Sequence, residues 1–212
     1  MTKILVSAAI AGAALATAAT AAAPVTVTLI VSAPIVDYGK QVTLSGALST
    51  QKANQTIAIQ ATECGSAQAI KAATVKTATN GAYTTPATPT AATSYQATFK
   101  NAAKSPGLAV AVRPILQLTR LARGSYAAKV TAGRSLKGKA VLFQRYAKLR
   151  KRWVQVKRVV LTTEAAGPAK PTLIDSASFR AKVALKARVR LLISKAQAGP
   201  CYLSATSNVV RA

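Results

Sequence analysis

The 212-residue chain holds 29 Lys and Arg against four acids and no histidine, a formal net charge of +25. Absent histidine excludes Ser-His and Cys-His nucleophile pairs, and four scattered acids (Asp37, Glu63, Glu164, Asp175) leave little for carboxylate-pair or clustered-ligand metal chemistry. The excess of base gives a surface that attracts polyanions.

The chain opens Met1-Thr2-Lys3, runs apolar from Ile4 to Leu15 and continues in small residues to Ala23. That order is the n-region, h-region and small-residue cleavage zone of a secretory signal peptide, expected over 1–23. About a dozen apolar residues fall short of the roughly 20 that a spanning helix needs, so an uncleaved anchor is the weaker reading. The mature chain is expected outside the cell, with no stable membrane span.

From residue 24 onward, short runs rich in Val, Ile, Thr and Tyr alternate with Gly, Pro, Asn and Ser clusters, and helical periodicity is not sustained. This predicts an all-β sandwich or barrel. In the first half, strands are expected over 25–31, 41–48, 56–62, 70–76, 82–85, 94–100 and 108–112. Val42-Thr43-Leu44-Ser45 and Thr56-Ile57-Ala58-Ile59 alternate as half-buried strands do. Asn80-Gly81 reads as a two-residue hairpin turn. Asp37-Tyr38-Gly39 reads as a turn before the second strand, and Glu63 as a solvated strand end.

Arg113-Pro114 marks a boundary, because proline forces an extended link and removes a ladder donor. Beyond it, strands are expected over 115–119, 125–132, 139–146, 153–161, 176–183, 188–194 and 203–210, with 162–175 as loop. Seven strands per half, each near 100 residues, match a constant-type immunoglobulin sandwich. The expected domains are therefore 24–113 and 114–212. The halves also repeat: Phe99 and Ile193 lie 94 positions apart, as do Pro106 and Pro200, and Ile59-Gln60-Ala61 loosely matches Phe143-Gln144-Arg145.

Val141-Leu142-Phe143-Gln144-Arg145-Tyr146, a basic turn and Trp153-Val154-Gln155-Val156-Lys157 together resemble the immunoglobulin-like and fibronectin-like repeats of secreted bacterial proteins. Val42-Thr43-Leu44-Ser45-Gly46 resembles the second strand of such modules. The resemblance implies tandem immunoglobulin-like β-sandwiches with a structural or adhesive role outside the cell. It does not imply an activity.

Cys64 and Cys201 form an even pair, which suits a disulfide in an oxidising compartment. Closing a loop of that length stabilises by about 4–5 kcal/mol in the chain-entropy model. Two unrelated small residues are the other reading. No C-x-x-C, P-loop or dinucleotide motif occurs, so no cofactor or metal is expected, and a Ser-Lys hydrolase is a distant third possibility.

Charge is sorted along the chain. Residues 1–112 carry seven Lys and two acids, a net +5, while residues 113–212 carry 22 Lys and Arg and two acids, a net +20. Lys148, Arg150, Lys151 and Arg152, then Lys157 and Arg158, are expected at a hairpin tip and its flank. Arg180, Lys182, Arg188 and Arg190 alternate with apolar residues and are expected on exposed strand faces. These ten residues are the candidate polyanion-binding set, the partners being anionic cell-wall polymers, lipid headgroups, acidic polysaccharide or nucleic acid. A solvated basic face that keeps edge strands apart is the bland alternative. Trp153 beside the basic run suits stacking, yet a lone Trp on a sandwich strand is more often core.

Overall fold

The computed structural model describes residues 23–212. The expected signal peptide lies outside the described residues except for its last position.

The first half is built of β1 (Ile30–Val31), β2 (Ile35–Asp37), β3 (Val42–Ala47), β4 (Thr56–Glu63), β5 (Ile70–Lys76), β6 (Ala82–Ala87), β7 (Thr93–Phe99), β8 (Ala103–Lys104) and β9 (Leu108–Arg113). They form a three-stranded sheet, β1-β3-β6, facing a sheet of order β2-β9-β7-β4-β5, with β8 on β7. Alternate residues point inward: Val42 and Leu44, Ile57 and Ile59, Tyr95, Ala97 and Phe99, Val110 and Val112 are all buried. The fold is all-β and immunoglobulin-like, two sheets packed face to face whose strand pairs are antiparallel except for the parallel β2–β9 pair.

Three sequence expectations change here. A constant-type sandwich would set the strand after β4 beside β6, whereas β5 pairs with β4. The buried Thr77 explains it: its hydroxyl donates to the Lys52 carbonyl at 2.6 Å and accepts the Gln55 N–H, tying the end of β5 to the start of β4. Asn80-Gly81 is therefore a turn between sheets and not a hairpin; it is closed by Ala78 N–H to Ala82 O at 2.7 Å, with Gly81 at φ +77°. The first strand is shorter than expected, because the Tyr83 hydroxyl takes the Thr28 carbonyl oxygen, an acceptor a longer ladder would use. Gly46 leaves the room for it.

The second half contains β10 (Ile115–Ala122), β11 (Ser125–Ala132), β12 (Ala140–Ala147), β13 (Arg152–Val160), β14 (Thr163–Ala166), β15 (Leu173–Arg180), β16 (Arg188–Ile193), the single helical turn α1 (Lys195–Ala198), β17 (Ala205–Thr206) and β18 (Val210–Arg211). Its sheets run β10-β11-β15-β14 and β13-β12-β16-β17, with β18 also on β16. Between them Tyr126, Phe143 and Phe179 pack with ring centroids 4.9–5.6 Å apart. The span 162–175 is not all loop: it holds β14 and the first residues of β15, with Asp175 buried on β15 and Glu164 opposite it.

The strand expected over 203–210 is split by a side chain. The Ser207 hydroxyl accepts the Leu191 N–H at 2.8 Å and donates to the Asn208 carbonyl, replacing ladder bonds. Ser105 does the same in the first half, with the Ala97 N–H and the Pro106 carbonyl. Ala97 and Leu191 keep the 94-position spacing, but Ser105 and Ser207 lie 102 apart, since α1 and its flanks lengthen the second loop. Pro106 and Pro200 are thus not structural equivalents. Ile59-Gln60 and Phe143-Gln144 are, each marking a β-bulge against the neighbouring strand.

The halves meet through a dense junction. Cys64 and Cys201 are disulfide-bonded. Beside them Arg134 contacts the Glu63 carboxylate at 3.2 Å and also donates to the Cys64 carbonyl, so Glu63 is paired and not merely solvated. Backbone bonds run from Ala92 N–H to Cys201 O and from Leu203 N–H to Val112 O. The hydroxyls of Tyr38 and Thr172 meet at 3.0 Å.

Candidate functional site

The junction uses the loops of the second half that hold Gly133–Arg134, Thr172 and Cys201–Tyr202. The opposite end is therefore free. Three connections meet there: the β10–β11 turn at Arg123-Gly124, the β12–β13 tip at 148–151, and the β15–β16 loop at 181–187. Register brings them together. Ser125 pairs with Arg180 and the Ala181 N–H bonds to Gly124 O; Arg145 pairs with Val189.

Two grooves lie between these loops. One of about 600 Å³ is lined by Lys148, Leu149 and Arg150 on one side and Leu185, Lys186 and Arg188 on the other. One of about 640 Å³ runs between Arg123 and Arg180–Val183. Lys148, Arg150, Lys151, Arg152, Arg180, Lys182 and Arg188 are all exposed at this end. Arg120, Arg123 and Arg211 join them from segments that the sequence reading did not single out. Lys151 and Lys186 occupy the left-handed region, at φ +47° and +60°, each closing a tight turn. Side chains other than Gly and Asn are strained there.

The remaining candidates are dispersed. The Lys157 ammonium donates to the Arg180 carbonyl at 2.9 Å, bridging the two sheets. Arg158 stands six residues along β13 from Arg152, roughly 20 Å at strand rise. Arg188 is on the outer sheet face, as expected, but Arg190 is half-buried: its Nε donates to Gln144 Oε1 at 2.9 Å, and burial lowers its pKa.

Trp153 is not core. A bulge between Phe143 and Gln144 skips Val156, so Val159 is buried on the inner face, which Lys157 shares while remaining exposed, and Gln155 and Trp153 turn outward. Trp153 pairs with Tyr146 at 5.4 Å between ring centroids, and the Arg190 guanidinium lies 4.2 Å from the Trp153 ring centre. Arg188 lies 5.1 Å from Tyr146 and 5.9 Å from Trp153. The result is a cation–π stack beside the basic end.

The acids sort the other way. Asp37 ends β2 beside Arg113, Glu63 pairs with Arg134, and Glu164 and Asp175 lie near the Thr172 end of their strands. The Asp175 carboxylate accepts the Leu136 N–H at 2.8 Å, and burial pushes its pKa up. Among the described residues no group of three or more His, Cys, Asp or Glu lies together, and no helix is long and apolar enough to cross a membrane.

No family model matches the chain. No curated protein matches it. Similar solved structures include a bovine butyrophilin, with TM-score 0.31 and 10% identity, covering 87% of this chain and 98% of that one. A marsupial T cell receptor is similar with TM-score 0.34 and 6% identity, covering 90% and 100%.

Proposed function

We propose that the chain is an exported, non-catalytic adhesive module of two immunoglobulin-like sandwiches, akin to bacterial immunoglobulin-like and fibronectin-like repeats. It attaches to anionic polymer through the free end of the second sandwich. The observation that carries this reading is the sorting of charge: bases from three separate connections converge at the free end, while all four acids of the described residues lie toward the junction. Lys and Arg at such an end neutralise phosphates or carboxylates in a salt-dependent, sequence-independent way. The disulfide-bonded junction holds that end at a fixed reach from the first sandwich.

Retention of the mature protein on heparin or teichoic polymer, eluted by a salt gradient, tests the reading. Elution should need salt well above the physiological level of about 0.15 M. Replacing Lys148, Arg150, Lys151 and Arg152 by Ser should lower the eluting concentration. Elution of the unaltered protein near physiological salt overturns the proposal, and an unchanged position for the variant moves the site elsewhere.

A further inference from the structure

The free end carries a second feature that attraction to a soluble polyanion does not use. Leu121, Leu149 and Leu185 are 57%, 102% and 62% exposed. Leu149 and Leu185 belong to two of the three connections, and Leu121 to the end of β10 that leads into the third. Leu121 is the residue skipped by the bulge between Arg120 and Ala122 at the end of β10. Leu149 stands in the four-residue tip between β12 and β13, and Leu185 in the loop before β16, across the shared groove from Leu149. Single exposed leucines are ordinary on any surface. Three at one end each lie within three residues of two cations: Arg120 and Arg123, Lys148 and Arg150, Lys186 and Arg188.

We propose that this end docks on a bilayer surface rich in anionic lipid, the three leucines entering the acyl boundary and the surrounding Lys and Arg meeting the headgroups. The inference rests on the anion-binding reading above and names its ligand class. A soluble acidic polymer offers the cations a partner but gives the leucines nothing apolar to enter. An anionic bilayer supplies both, and binding there scales with buried apolar area plus attraction of basic residues to the charged headgroups. Long Lys and Arg side chains hold their charge at headgroup level while their stems lie in apolar surroundings. Tyr146 and Trp153 pair across β12 and β13, just behind the tip. That level suits aromatic rings at the membrane–water interface. None of the four acids of the described residues lies in these loops to repel the surface.

The test is vesicle co-sedimentation of the full mature chain, with heparin chromatography in parallel. Vesicles of phosphatidylcholine alone are compared with vesicles containing roughly 30% phosphatidylglycerol. The protein should bind the anionic vesicles and not the neutral ones. A Leu121→Ser, Leu149→Ser, Leu185→Ser variant should lose about tenfold or more in vesicle affinity while its heparin elution stays in place. Leu149→Ser alone, at a fully exposed position, should show a smaller loss of the same sign and guards against misfolding of the triple variant. Vesicle binding unchanged in both variants, or heparin elution falling in step with it, overturns the bilayer inference and leaves soluble polymer as the ligand. Retention on heparin without vesicle binding overturns the inference alone; failure to bind either overturns the anion-binding reading as well.

Discussion

The Tyr202 hydroxyl donates to the Thr90 carbonyl oxygen at 2.9 Å across the junction and accepts the Gly133 N–H at 3.0 Å. One phenol thus ties both halves together. Tyr202→Phe removes both bonds and strands a backbone donor and an acceptor, so it should cost about 1–3 kcal/mol in denaturant unfolding. Burial pushes the Tyr202 and Tyr83 pKa values up to about 12 from 10.0. Both are raised in the fold, so their contribution is complete below pH 10 and drains away as pH rises from 10 to 12. The stability difference between wild type and Tyr202→Phe should therefore shrink across that window. A difference that stays constant to pH 12 would contradict the assignment.

Cys64 and Cys201, 137 positions apart, should yield no reactive thiol when the protein is denatured without reductant. Replacing both by Ser should cost about 4–5 kcal/mol if the chain-entropy account holds. A thiol titration finding two equivalents would refute the bridge.

Lys151 sits in the left-handed region at the tip of the basic hairpin. Lys151→Gly relieves that strain and removes a charge, so two readouts should move in opposite directions. Thermal or denaturant stability should rise, by at most about 1 kcal/mol, while heparin elution falls. Stability that falls would show that the turn does not strain the lysine.

Trp153 is the sole tryptophan and touches Arg188 and Arg190 beside the proposed contact surface. Its emission should change as heparin is added and should saturate with binding. Emission that stays flat through saturation would place the anion away from the stack.

Strands are legible where burial on one face writes a clear alternation: 125–132 agrees with β11 to the residue. The span 70–76 agrees with β5 as well, though none of its residues is buried; its bounding turn residues mark it instead. β14 is not legible, because Thr163, Glu164, Ala165 and Ala166 are all exposed and leave no period to read. A lone Trp on a sandwich strand reads as core, but β13 is the edge strand of its sheet and the bulge at Val156 reverses the face of Trp153, and neither feature leaves a mark in the sequence. The hairpin tip was legible from its run of cations. The convergence of the β10–β11 turn, Leu121 and Leu185 upon it was not, since it arises from pairing between residues as distant as Ser125 and Arg180. The disulfide was half legible: an even pair of cysteines names candidates, and only the junction shows why they meet.

The chain enters the first sandwich far from the junction, where the Thr26 N–H bonds to Ser49 Oγ in the connection before β4. The basic tip lies at the other extreme. A pull between the N-terminal side of the first sandwich and a tip held on a surface must pass through the junction. It is shared there between two covalent routes, the Arg113-Pro114 peptide and the Cys64–Cys201 bridge. Pulling would therefore have to deform one sandwich or the other before the two could peel apart, and reduction of that one bond would leave the peptide link as the sole covalent route.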